Sequence, residues 1–275
     1  MRKNIKRRML RLSIISVIML LGIMVLPYAT SNQKLNIRRF VHLITKPDLP
    51  YYVVNDFDPD KENIVVKPTG NYDSIKADIV KKKTALGIRY KNANSIDKSK
   101  ILTEANSLFT NSLLNQIIPH WYGTKWDYNG YTNVPKSGLI ACGYFVSTPL
   151  KHMGFNLNRY KLAQTYSLQA VKVLQGSDVI NLTGKGQDSL VNYLLAGDDG
   201  FYAIGLDHHI GFACKWKNEA YFIHSNNRWP GTVCIEKASE TLHLRFSNAL
   251  VLAKLSNNNF FLRKWILNEE FKISN

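Results

Sequence analysis

Cysteine is scarce in this chain, with three residues among 275, at positions 142, 214 and 234. Three thiols allow at most one disulfide and leave one free, even in an oxidising compartment. Acid is also in short supply: 20 Asp and Glu stand against 36 Lys and Arg. No acidic side chain stands at metal-ligand spacing from the histidines of the second half, which argues against a histidine–carboxylate metal centre. Charged residues make up only 20% and apolar ones 45%, so the chain is not disordered and can bury a sizeable core. No internal repeat or low-complexity tract is visible. A length of 275 residues suits one catalytic domain with an accessory segment.

What is present begins with a basic head of Arg2, Lys3, Lys6, Arg7, Arg8 and Arg11. Leu12 to Leu26 follows, broken only by Ser13, Ser16 and Gly22, and Ala29-Thr-Ser31 supplies small residues for a cleavage after Ser31. That pattern over 1–31 is a signal peptide or an N-terminal membrane anchor. The apolar core is shorter than the ~20 residues of a spanning helix, though it extends through Pro27-Tyr-Ala29. No cysteine follows it directly, so a lipoprotein anchor is not expected. The expectation is an exported protein of the periplasm or cell envelope, either released or held in the inner membrane by this segment. Six of the +16 formal charges lie there, so most of the excess stays downstream. Such a surface either keeps the chain soluble or draws anionic envelope material. Nucleic acid is not an expected partner, because export argues against it and Lys81-Lys-Lys83 carries no interleaved aromatic residue.

Residues 32–95 are irregular, punctuated by Pro47, Pro50, Pro59 and Pro68, and form an N-terminal extension laid on the main domain. Within it, Asp73 to Leu86 is a candidate helix capped by Asp73 or Ser74. Asp56, Asp58 and Asp60 alternate as in a calcium loop but lack its glycine and final glutamate, so they read as a solvated turn. The main domain spans 96–260. Ser95 caps a helix through Ile101, Leu102, Ala105, Leu108, Phe109, Leu113, Leu114 and Ile117, with Pro119 as its stop. An aromatic loop, His120 to Gly130, comes next. Helices are then predicted from Cys142 to before Gly154, from Asn158 to Leu174 and from Gln187 to Leu195. Beyond Gly200, the runs 201–206, 209–215, 220–224, 232–235 and 249–254 read as successive short strands. Helices followed by an antiparallel β-sheet make an α+β domain. Residues 261–275 remain as a C-terminal tail.

Cys142 opens a helix in the stretch Gly138-Leu-Ile-Ala-Cys-Gly-Tyr-Phe-Val-Ser. A helix N-terminus favours a thiolate through its partial positive charge and free amides, and the Cys142 amide is a natural oxyanion donor. His209, in His209-Ile-Gly-Phe212, sits beside a glycine on one strand face, which leaves room for substrate over Gly211. His224 lies on the next strand with Asn226 on the same face, and either can hold the first imidazole in its useful tautomer. A zinc site from His208, His209 and His224 is not expected, because adjacent strand residues face apart. Cys214 and Cys234, on neighbouring candidate strands, either pair or stay as small buried residues. In the aromatic loop Trp121, Tyr122 and Trp126 are either a wall of the substrate site or a packed lid.

These stretches resemble the NlpC-type cell-wall peptidases, a branch of the papain-like cysteine hydrolases. The resemblance runs from Ile118 to Leu255 and rests on the order of Trp121-Tyr-Gly-Thr-Lys-Trp126, Ala141-Cys-Gly-Tyr-Phe-Val146, His209-Ile-Gly-Phe212 and Phe222-Ile-His-Ser225. It implies a papain-like fold, with Cys142 as nucleophile, His209 as general base and His224 as the orienting third residue, Asn226 standing in reserve. It also implies cleavage of an amide bond in peptidoglycan stem peptides with no metal or cofactor; the alternatives are a papain-like hydrolase or acyltransferase acting on another envelope amide or ester, and a non-catalytic envelope-binding module with the same fold. Two features depart from the family. Ala141 and Gly143 replace an Asp and a Ser that help hold the substrate's free amine, and Pro149 falls inside the nucleophile's helix, where it is expected to kink or shorten it.

Overall fold

In the computed structural model, which describes residues 53–54, 59–176 and 179–273, the described residues up to 196 are mainly helical because their apolar residues recur at three- and four-residue intervals. The chain divides into two units, Met1–Asp56 and Phe57–Asn275, and the second carries every element named below. The expected signal segment and the Asp56–Asp58 turn lie outside the described residues. No helix of the described residues is long and apolar enough to cross a membrane.

The helical part comprises α1 (Pro59–Glu62), α2 (Tyr72–Asn92), α3 (Ser95–Ser112), α4 (Ile118–Trp121), α5 (Cys142–His152), α6 (Arg159–Gln164), α7 (Ser167–Gln175) and α8 (Gly186–Ala196). Caps fall one to three residues before those expected. The Asn71 and Asn94 side chains accept from the amides of Ser74 and Asp97, which starts α2 and α3. Pro119 does not stop the third helix. A π-turn over Leu113–Ile117 carries the run on, and the proline lands in the first turn of α4, where its missing N–H costs little. The helix expected over 158–174 breaks at Thr165 and Tyr166, which are extended. Pro149 neither ends nor shortens α5, which runs on to His152.

The strands are β1 (Lys125–Trp126), β2 (Leu139–Ile140), β3 (Ile180–Asn181), β4 (Gly200–Gly205), β5 (Ile210–Trp216), β6 (Glu219–Ser225), β7 (Val233–Lys237) and β8 (Val251–Lys254). The first two form a small parallel pair, and the other six make one sheet in the order β3-β8-β4-β5-β6-β7, antiparallel throughout. Short helices α9 (Leu242–Arg245) and α10 (Asn259–Ile266) flank β8. Both sheet faces are covered, which is why these strands read as continuous apolar runs. Tyr202, Ile204, Ala213, Phe222 and Leu252 share one face with Leu190 and Leu194 of α8. On the other face Phe212 meets Phe201 and Phe145 of α5, with ring centroids 6.1 and 5.9 Å away. Cys214 on β5 and Cys234 on β7 are not on neighbouring strands. β6 separates them by about 10 Å, and both thiols are free, so the disulfide considered between them is not made.

The tail expected from residue 261 is, as far as Ile266, part of a packed helix. Phe261, Leu262, Trp265 and Ile266 are buried. Trp265 stacks on Phe155 at 5.5 Å and donates from Nε1 to the Met153 carbonyl at 2.8 Å, tying the chain's end to the exit of α5. Lys83, the last residue of the tight basic cluster, is buried and bonds the Gly154 carbonyl at 2.6 Å, so it closes the same helix end instead of offering charge to a ligand. Desolvation pulls its pKa down to about 8. Trp265→Ala is expected to cost about 3–5 kcal/mol in chemical denaturation; a loss under about 1 kcal/mol would mean that α10 is not part of the core.

Candidate active site

Cys142 is the first residue of α5, with extended Ala141 before it, so the backbone turns from extended to helical at the cysteine. Tertiary bonds hold the approach. The Ala141 amide bonds the Gly130 carbonyl at 2.8 Å, and Ser225 Oγ at the end of β6 bonds the Ile140 carbonyl at 2.7 Å. Gly130 is required at that crossing, since a Cβ there would lie 2.5 Å from the Ile140 nitrogen. The aromatic loop is in turn sewn to β7: the Gly123 amide bonds the Val233 carbonyl, and the Val233 amide bonds the Thr124 carbonyl.

The sulfur of Cys142 lies among backbone amides, those of Gly143, of Ile210 and its own. They support an anion, but burial outweighs them and raises the thiol's pKa. His209 directly precedes Ile210 and lines the same cleft as Cys142, a space of about 920 Å³. Neither His208 nor His209 is within a strand. Both belong to the turn before β5, closed by the Leu206 amide on the His209 carbonyl at 2.8 Å, and both line the cleft; the expectation that they face apart does not apply.

Behind His209 runs a buried chain of hydrogen bonds. His209 Nε2 is 2.7 Å from His224 Nδ1, and His224 Nε2 is 2.7 Å from Glu236 Oε1. His224 and Glu236 are fully buried. The same Glu236 oxygen accepts from Asn226 Nδ2 at 3.3 Å and from Thr241 Oγ1 at 3.1 Å. An oxygen serving these donors is a lone-pair acceptor, which sets the direction of the whole chain. His224 donates from Nε2, accepts at Nδ1 from His209 Nε2–H, and leaves Nδ1 of His209 as the nitrogen able to take a proton. Burial, reinforced by the neighbouring His224 and His243, drives the His209 pKa well below its ordinary value. The same burial thus disfavours a thiolate–imidazolium pair, raising the thiol's pKa and lowering that of His209.

The expected histidines do meet, while Asn226 steadies the carboxylate instead of contacting His209. The sequence reading missed Glu236. It closes an apolar strand, diagonal to His224 through the pairing of His224 with Cys234. An acid ending an otherwise apolar strand next to a histidine-bearing one was the available signal. The expected space over Gly211 is not open to substrate: a Cβ there would lie 2.7 Å from the Phe222 ring and 2.9 Å from His224 Cβ, so the glycine admits these side chains.

The walls also differ in part from expectation. Trp121 and Tyr122 are fully buried at the end of α4, and Trp121 Nε1 bonds Tyr72 Oη at 2.7 Å, so they belong to the core. The chain turns at Gly123 (φ 84°), and Trp126 beyond it does line the cleft, joined by Tyr128, Tyr131, Tyr144 and Tyr160. Among the described residues no carboxylate, lysine or arginine lines it. Arg159 lies just behind, buried, with its guanidinium 4.5 and 5.3 Å from the ring centres of Tyr160 and Tyr144.

Gly143, where the resembling family carries serine, packs against α6: a Cβ would fall 2.2 Å from the Ala163 carbonyl oxygen. Gly143→Ser is thus expected to destabilise the fold by about 1–3 kcal/mol in urea denaturation, and an unchanged midpoint would refute that packing. Glu236→Gln keeps the shape but puts an amide where three donors converge. It should slow labelling of Cys142 by a thiol-directed acyl probe by about 10²-fold, within the range that base catalysis supplies, whereas wild-type rates would show that the carboxylate does not orient the pair. Family models, curated proteins and solved structures were all compared with the chain, and none matches.

Proposed function

We propose that this protein is an exported cysteine hydrolase of papain-like type that cleaves an amide bond in peptidoglycan stem peptides. The observation that carries the reading is the set Cys142, His209, His224, Glu236: a helix-opening thiol and an imidazole that line one cleft, and a buried carboxylate that fixes the imidazole's tautomer through a second ring.

In this mechanism the scissile carbonyl enters the cleft over Cys142. As the sulfur attacks, His209 takes the thiol proton, and the imidazolium is stabilised through His224 by Glu236. The amide of Cys142, at the positive end of α5, faces the developing oxyanion. The C–N bond breaks as His209 returns the proton to the leaving amine, which leaves a thioester. Water, deprotonated by His209, then releases the acid and restores the thiol.

The uncharged, tyrosine-rich lining supports a substrate with no free charged amine at the scissile bond, in keeping with Ala141 and Gly143 in place of amine-holding side chains. The same lining favours one second reading, the same machinery acting on another envelope amide or ester. Wild-type protein is expected to release fragments from purified muropeptides while Cys142→Ala releases none; equal release by both would overturn the assignment. Probe labelling of Cys142 without muropeptide turnover would favour the second reading.

A further inference from the structure

A third imidazole stands beside the pair. His243, on the short α9, is partly exposed, and its ring centre lies 4.5 Å from that of His209 and 4.7 Å from that of His224. One nitrogen from each of His209, His224 and His243 lies within 4.8 Å of the others. We propose that these three histidines form a site for a divalent metal ion of the zinc class, and that its occupation switches the thiol machinery off.

Three points carry the proposal. The first is ligand chemistry, since neutral imidazoles suit zinc, cobalt and nickel, and three with an open fourth position are a recurrent zinc arrangement. Tetrahedral zinc holds its nitrogens about 3.3 Å apart, given Zn–N bonds near 2.0–2.1 Å, so closure from the resting geometry is a matter of about an ångström. The second is outer support. A ligating histidine ordinarily donates its other N–H to an oxygen, and His224 Nε2 already faces Glu236 Oε1 while His243 Nε2 faces Asn227 Oδ1, each at 2.7 Å. Both tautomers put the lone pair on Nδ1, the nitrogen that would ligate. The third is access: His209 and Asn227 line the open cleft, so an ion can reach the ring edges. The other grouping of ligand atoms, His224, Cys234 and Glu236, is fully buried and has no such entry.

The proton count explains the inhibition. In the metal-free chain His209 carries its proton on Nε2, donated to His224. Metal bound at His209 Nε2 and His224 Nδ1 breaks that hydrogen bond and moves the His209 proton to Nδ1, with no proton released. Nδ1 is the nitrogen that accepts the thiol proton in the proposed mechanism, so the bound form has no base. The inhibitory consequence rests on that mechanism; the metal site does not. Burial, which keeps His209 neutral, also keeps it available as a ligand.

Titrating the purified full chain with Co²⁺ should produce visible ligand-field absorption that Zn²⁺ displaces. Zn²⁺ should also slow acyl-probe labelling of Cys142. His243→Phe keeps a ring against His209 but no ligating nitrogen. Its loss of Zn²⁺ sensitivity is read against its own metal-free labelling rate, and it should lose at least about tenfold in Co²⁺ affinity, the smallest loss that disturbing a ligand's support causes. Unchanged Co²⁺ binding and Zn²⁺ sensitivity in His243→Phe, or no Co²⁺ spectrum in the wild type, would overturn the proposal. His243→Asn serves in its place if the phenyl ring disturbs folding. Absence of any labelling in metal-free wild type would count against the hydrolase reading alone, because the Co²⁺ titration still decides the site.

Discussion

A carboxylate sealed from solvent is costly, and Glu236 is tolerated because His224, Asn226 and Thr241 all bring donors to one of its oxygens. The rest of the site depends on that arrangement. Because the carboxylate only accepts, the tautomer of His224 is fixed, and because His224 then accepts at Nδ1, the tautomer of His209 is fixed as well. A neutral residue at 236 would leave both rings free to carry their protons on either side. The sheet supplies the geometry: β6 and β7 pair so that His224 faces Cys234 and Glu236 stands diagonally beyond.

The second constraint is the entry to α5. Cys142 is brought to the cleft by β2, which Gly130 and Ser225 hold from two sides, and by the close approach of α6, which forbids a side chain at 143. Gly130 and Gly143 are thus explained by backbone crowding without any appeal to substrate. They add no polar side chain to the cleft, whose lining combines tyrosine and tryptophan rings with Asn129, Gln164, Asn227 and the two histidines, and the Arg159 charge is stacked behind two of the rings. The same burial raises the pKa of the thiol and lowers that of His209.

Much of the fold was legible in the sequence. The five strands after Gly200 lie within two residues of where their apolar runs put them, because both sheet faces are covered and such strands announce themselves as short apolar stretches between turns. Cys142 at a helix start was readable for a local reason too, a turn-forming glycine followed by an apolar run. Errors arose where a local rule met a tertiary bond. Pro119 was absorbed by a π-turn, the 158–174 helix broke at Thr165, and the supposed tail at 261 carried Trp265 into the core.

By itself, then, the sequence determined the order of helices before strands, the α+β class, the helix start at Cys142, and two histidines, His209 and His224, close enough along the sheet to meet. These follow from hydrophobic periodicity and turn chemistry, which act between residues close along the chain. Tertiary structure alone decided that Glu236 completes the relay, that His243 stands beside it, that Cys214 and Cys234 are kept apart by β6, and that Trp121 belongs to the core while Trp126 faces the cleft. Each of those depends on strand order, register or the docking of distant segments. Such relations arise only when the whole apolar surface is buried at once, and no local pattern of residues encodes them.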